Sequence, residues 1–199
     1  GIELPEGHID FDIAFGRKAD LILEIGFGMG QSLAQMGVDN PETNYLGIEV
    51  HQPGVGRLMH QLESEDITNV RVLNQDAVMV LNNHIEDNAL SGVQIFFPDP
   101  WPKKKHHKRR IIQSEFIKHI LSKLKVGGFI HVATDWAPYA EHIIDVLNKE
   151  PSLKNEEGSL LHKNLIQKRP DTRFESRGLK LGHEICDVVY TRCTETEKL

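Results

Sequence analysis

Short apolar runs alternate with amphipathic stretches along the whole chain. Strands are predicted over residues 21–25, 45–50, 70–73, 93–97, 129–133 and 185–192. Several of these runs are continuously apolar, as strands covered on both faces should be. Helices are predicted over 30–36, 53–63, 77–83, 114–124 and 137–148. In the fourth, Phe116, Ile117, Ile120, Leu121 and Leu124 recur at helical spacing, and Gly127-Gly128 then marks a turn into the next strand. The alternation predicts an α/β fold with a doubly wound, mostly parallel sheet whose strand C-termini share one rim. Residues 151–158 read as a polar surface connection. Residues 160–182 are the least periodic and read as a lid or an insertion before the last strand. With no internal repeat and no linker, residues 1–199 read as one domain, long enough to bury a full core.

The first strand runs into Glu24-Ile25-Gly26-Phe27-Gly28-Met29-Gly30. Glycines serve where the backbone must take positive φ or approach a ligand closely. A dinucleotide fingerprint beginning at Gly26 would need glycine at position 31, where Gln31 stands; the third glycine comes one residue early. This E-x-G-x-G-x-G spacing resembles the first motif of class I S-adenosylmethionine (SAM) methyltransferases. A tight strand–helix turn without a ligand is the alternative. Acids also end the strands in order: Glu24, Glu49, Asp76 and Asp99, with Asp135 after the fifth. The predicted topology gathers them along one rim. SAM is cationic at its ammonium and sulfonium, and its ribose and adenine offer further donors, all suited to carboxylates. Glu49 stands where a ribose-binding acid is expected, Asp76 suits the adenine amine, and Glu24 the methionyl end. Each acid taken singly is better read as a helix N-cap or a solvated loop residue; five in sequence at strand ends are harder to read that way.

Charge sharpens the picture. The net charge is −6, yet Lys103, Lys104, Lys105, Lys108, Arg109 and Arg110 fall within eight residues, and without those six the chain would carry −12. Such a block is either a footprint for a polyanion or a solvated charged run. No apolar stretch approaches the ~18 residues of a membrane span, and no secretory signal is visible. Cys186 and Cys193 match no metal or redox spacing, so no disulfide is expected and a cytoplasmic location follows. The eleven histidines form no HExxH or Cys/His cluster and read as surface residues, so no metal is expected.

Phe97-Pro98-Asp99-Pro100-Trp101-Pro102 leads straight into that block and continues Lys103-Lys104-Lys105-His106-His107-Lys108-Arg109-Arg110. Three prolines stiffen the loop at the catalytic rim, because each fixes φ. This segment resembles the signature of the bacterial tRNA (guanine-N7-)-methyltransferase family, the TrmB type. The glycine turn, Gly47-Ile48-Glu49-Val50, Ala133-Thr134-Asp135 and Thr172-Arg173-Phe174-Glu175 match as well, so the resemblance covers nearly the whole chain. The family usually begins with an additional arm, and this chain, which starts at Gly1, is expected to lack it.

The resemblance implies a Rossmann-like class I methyltransferase sheet with its last strand antiparallel. It implies methyl transfer from SAM to N7 of guanine 46 in the variable loop of tRNA, leaving S-adenosylhomocysteine. Cofactor contacts are implied at Glu24, Gly26, Gly28, Gly30, Glu49, Asp76 and Asp99, with Asp99 also catalytic. Substrate contacts are implied at Lys103, Asp135, Thr172, Arg173, Phe174 and Glu175, and RNA contacts at Lys105, His106, His107, Lys108, Arg109 and Arg110. Thr172 and Glu175 equally fit a capping box. tRNA is the expected partner, with no membrane and no obligate protein partner, and a monomer is favoured over a homodimer. A small-molecule methyltransferase would have little use for six clustered cations. An adenine-amine methyltransferase would show an Asn/Asp-Pro-Pro-aromatic motif. A nicotinamide dehydrogenase would need a glycine at 31, and a non-catalytic RNA-binding module would leave the rim acids idle.

Overall fold

The computed structural model describes residues 1–172, 175, 178, 182 and 184–194. A seven-stranded sheet runs through it: β1 (Leu21–Ile25), β2 (Asn44–Ile48), β3 (Val70–Leu73), β4 (Leu90–Phe96), β5 (Leu124–Thr134), β6 (Leu153–Asn155) and β7 (Cys186–Arg192). Its spatial order is β3-β2-β1-β4-β5-β7-β6. The first five strands are parallel, and β7 pairs antiparallel with both β5 and β6. The mostly parallel sheet and the antiparallel last strand both stand as expected. The chain winds outward from β1 to β3, then returns to place β4 on the other side of β1. That reversal opens a crevice above the C-terminal ends of β1 and β4, where ligands bind in open α/β sheets.

Helices cover both faces. They are α1 (Phe11–Phe15), α2 (Gln31–Asp39), α3 (Gln52–Ser64), α4 (Ala77–Asn83), α5 (Ser114–Lys123), α6 (Ala137–Leu147) and α7 (Leu160–Lys168). Alternation along β1 sorts the two cores. Leu21, Leu23 and Ile25 pack with Val80, Ile117, Ile120 and Ile143 of α4, α5 and α6 on one face. On the other face Phe27, Leu33, Val55 and Leu58 join Tyr45 and Val72 against α2 and α3. Successive strand residues point to opposite faces, so Glu24 falls on the α2–α3 side and is almost fully buried there.

Several features depart from the sequence expectation, among them α1, which the apolar pattern does not announce. The polar connection at 151–158 contains β6, an edge strand whose only buried residue is Leu153; it exists by pairing with β7. Residues 160–168 form α7, capped by Ser159 Oγ accepting from His162 N at 3.1 Å. No residue of α7 is fully buried, so it carries no strong periodic stripe. Gly127-Gly128 does not separate helix from strand: α5 passes directly into β5, and the pair lies in a bulge where Leu90 faces Leu124 but Gly92 already faces Phe129.

The glycine turn is braced by α3. A Cβ on Gly54 would stand 1.9 Å from Gly28 O, whereas one on Gly56, further along the same helix, would meet nothing within 4 Å. Gly54→Ala should therefore push the turn aside and destabilise the fold by roughly 1–3 kcal/mol. Gly56→Ala should stabilise it by about 0.5–1 kcal/mol, through helix propensity alone. Urea denaturation of the two variants checks both signs.

Candidate active site

The crevice above β1 and β4 is a cavity of about 940 Å³. Its wall includes Glu24, Glu49, Asp76 and Asp99 together with the turn from Gly26 to Gly30. Four of the five acids expected at the rim are thus brought to one space. Asp135 is not among them: it follows β5 beyond the cavity wall, and a Cβ on Gly178 would come within 2.9 Å of its Oδ2. Lys103 also stands outside the wall, exposed at the start of a 3-10 helix over Lys104–Arg109.

Each acid has its own surroundings. Glu24 is 2% exposed, and its Oε2 has no hydrogen-bond partner among the described residues. Burial, with Glu49 nearby, pushes its pKa from 4.5 up to about 8. Glu49 is tied to the backbone: Gly28 N donates to its Oε2 at 2.8 Å, and Val50 N and His51 N donate to its Oε1 at 2.8 and 2.9 Å. It therefore locks the glycine turn against the end of β2. Asp76 caps α4, accepting from Met79 N through Oδ1 at 3.0 Å. The N-cap role of this acid is real, and the residue still faces the cavity. Asp99 is exposed at the mouth.

The turn itself takes left-handed backbone at Gly26, Gly28 and Gly30 (φ 76°, 58° and 76°). Beside Gly26 and Gly28 the space a side chain would fill is empty to 4 Å. A buried orphan carboxyl oxygen, an open glycine arch and two further acids form a donor-seeking, cation-tolerant lining. Such a lining suits a cationic ligand rich in hydrogen-bond donors, as SAM is.

The loop bearing Asp99 is strained at both ends. Phe97 and Trp101 have φ of 52° and 41°, a region that costs a non-glycine residue roughly 1–2 kcal/mol. Phe97 N is fixed by Ala133 O at 2.8 Å. Trp101 and Arg109 both line the cavity, with the guanidinium 5.0 Å from the ring centroid and His106 edge-on to the same ring. Lys104, Lys105 and Lys108 point to solvent. Arg110 corrects the expected RNA-contacting set: it is 4% exposed and turned inward. Its Nε donates to Pro100 O at 2.9 Å, and its guanidinium lies 4.7 Å from the Tyr139 ring centroid.

On the far side of the loop stands a charged network that residue spacing did not announce. Arg169 forms a two-pronged pair with Glu175 (2.6 and 3.0 Å) and a second pair with Asp187 (3.0 and 3.2 Å). Asp187 in turn meets His131 Nε2 at 2.6 Å. Burial pushes Asp187 upward, but the hydrogen bonds and charges of His131 and Arg169 outweigh it and hold the carboxyl below its ordinary value. The Arg169 guanidinium also lies 5.5 and 5.7 Å from the Phe96 and Phe97 rings. Thr172 and Glu175 form the anticipated capping box, Glu175 N to Thr172 Oγ1 at 3.1 Å and Thr172 N to Glu175 Oε2 at 3.4 Å. Thr172 reaches the cavity wall with Asp171, a residue one position outside the predicted substrate set. Glu175 instead turns both oxygens toward Arg169. Arg173 and Phe174 lie outside the described residues.

Comparison with known proteins agrees with this geometry. The family described as "Putative methyltransferase" matches residues 18–188. A tRNA (guanine-N(7)-)-methyltransferase of Alkalilimnicola ehrlichii is 52% identical over 194 residues, covering 96% of this chain and 81% of its own. One from Legionella pneumophila (strain Corby) is 54% identical over 184 residues, covering 92% and 82%. The solved structure of 16S rRNA methyltransferase KamB superimposes with a TM-score of 0.65 at 11% identity, over 94% of this chain and 95% of that one. A SAM-dependent O-methyltransferase from Thermotoga maritima gives 0.58 at 15% identity, over 92% and 63%. The structural likeness establishes the class I methyltransferase sheet, and with the sequence identity over nearly the whole length, the chain belongs to the tRNA (guanine-N(7)-)-methyltransferase family.

Proposed function

We propose that this protein methylates N7 of guanine 46 in the variable loop of tRNA, using SAM, as a cytoplasmic monomer. The observation that carries the reading is the cavity itself. Its floor holds the buried Glu24 oxygen, which has no partner among the described residues, and its mouth opens beside Asp99 and a lysine-rich surface. The relatives' shared name supplies the atom and the RNA.

Bound SAM supplies a sulfonium methyl, open to attack by guanine N7, a ring nitrogen with a free lone pair and no proton. No general base is needed to create this nucleophile. Asp99, at the mouth, accepts from the guanine N1-H or N2 amine and offsets positive charge as it develops on the purine. The stiff loop fixes the angle at which the base is presented, and alignment provides most of the acceleration. Lys104, Lys105 and Lys108 hold phosphates without reading sequence. Thr172, Asp135 and Lys103 belong to the wider substrate surface in this proposal, together with Arg173 and Phe174.

Radiolabelled SAM with total tRNA, followed by borohydride–aniline cleavage, tests the reading. Cleavage at the variable-loop guanine is expected; label at another atom or in another RNA overturns it. Asp99→Ala should lower the bound-state rate by about 10²–10³-fold while SAM affinity changes only a few-fold. Equal losses in both would remove Asp99 from the chemistry.

Glu24 makes a pH prediction. Its folded, ligand-free pKa of about 8 lies above the ordinary 4.5, so between those values the folded chain holds a proton that the unfolded chain has lost. Its contribution to stability is therefore full below pH 4.5 and declines as pH rises toward 8. Glu24→Gln should flatten that decline and weaken SAM binding by ~10-fold or more. In the native protein near neutral pH, binding should release close to one proton. Calorimetry in two buffers of different ionisation enthalpy measures it, and no release would show that Glu24 does not face the ammonium.

A further inference from the structure

The last cation of the basic block does something different from the rest. Lys104, Lys105 and Lys108 are exposed, whereas Arg110 is buried and reaches back across the Asp99 loop to Pro100 O at 2.9 Å. That loop has an unusual need. Pro98, Pro100 and Pro102 have no N–H, so three of its five residues cannot hold it in place by donating. Beyond the N–H groups of Asp99 and Trp101, such a loop can be held by a hydrogen bond received at a carbonyl, from a donor brought in from elsewhere. Arg110 supplies it at the middle residue, one position after Asp99 and one before Trp101. The Arg110 guanidinium is itself fixed against Tyr139, a fully buried ring of α6. Left-handed backbone at Phe97 and Trp101 gives the loop a reason to relax if released.

We infer that Arg110 is a positioning residue: it ties the carbonyl after Asp99 to α6 and so fixes the carboxylate at the mouth of the cavity, taking no part in phosphate contact. The catalytic meaning of this rests on the function proposed above; the mechanical part does not. The run Lys103 to Arg110 thus serves two purposes: its lysines stay exposed, while Arg110 is turned inward.

Two measurements test it. In single-turnover methyl transfer at saturating SAM, Arg110→Ala should lower the bound-state rate by ~10–100-fold while tRNA affinity stays within about twofold and its salt dependence is unchanged. Lys105→Ala with Lys108→Ala should do the opposite: weaker tRNA binding and a salt slope shallower by roughly 0.7–0.9 for each phosphate no longer neutralised. Arg110→Ala behaving like the lysine variants would overturn the proposal. Arg110→Lys separates the roles again. A lysine can still grip a phosphate, yet it lacks the planar guanidinium that stacks on a ring and donates at a fixed angle, so it should rescue the rate poorly.

The second measurement needs no activity. In a Trp136→Phe background, Trp101 is the remaining tryptophan, and its acrylamide quenching reports on the loop. Arg110→Ala should raise the quenching constant severalfold while Lys105→Ala leaves it unchanged; equal quenching in the two would show that Arg110 does not hold the loop. If Arg110→Ala fails to fold, Arg110→Lys carries both arms, with a smaller rise in quenching expected and an unchanged value overturning the proposal. Should the native protein transfer no methyl to tRNA, the function reading falls and the quenching arm alone judges Arg110.

Discussion

The parallel pairing of β1 with β4 is the constraint on which the rest of the catalytic rim depends. Ile22, Leu23 and Glu24 register against Gly92, Val93 and Gln94, which places the end of β1 next to the end of β4. The glycine turn leaves the first strand and the Asp99 loop leaves the second. Both cavity walls are consequently set by main-chain hydrogen bonds in the middle of the sheet. Glu49 then fastens the turn to β2 by accepting from Gly28 N, and α3 closes over it at Gly54, a position where no side chain fits.

Gathering carboxylates in one crevice creates a charge problem that the site solves unevenly. Glu49 accepts from three backbone donors, and Asp76 accepts from Met79 N at the start of α4. Glu24 is buried, and its Oε2 has no such partner among the described residues. Burial, with Glu49 beside it, raises its pKa to about 8, and a cation placed there would favour its ionised form. The same scarcity of donors governs the rim above. The proline-rich loop has few of its own, and arginines hold it from both sides: Arg110 at Pro100 and Arg169 stacked on Phe96 and Phe97. Arg169 answers to two acids, Asp187 and Glu175, and so joins β7 and the capped segment after α7 to the end of β4. Removing one member of such a buried set leaves an uncompensated charge, which destabilises far more than the intact set stabilises.

The sequence by itself determined six of the seven strands, five of the helices and four of the five acids at the rim. Core strands such as 21–25 and 70–73 and the helix 77–83 declare themselves because burial demands apolar residues at fixed periods. The glycine spacing, the strand-end acids and the proline–tryptophan segment declare themselves because ligand geometry demands those residue types. Only the tertiary structure decided the remainder. β6 is an edge strand made by its neighbour, and α7 buries no residue completely, so neither leaves a periodic trace. The partners of Arg169 lie 6 and 18 residues away in the chain, and His131 is 56 from Asp187; no local pattern encodes such pairs. Arg110 is the sharpest case. In the sequence it is one of six equivalent cations, and what separates it from Arg109 is the direction each side chain takes at the end of the 3-10 helix, outward over Trp101 or inward over Tyr139. Composition records a charge; only the packed neighbours decide whether that charge meets a ligand or holds a loop.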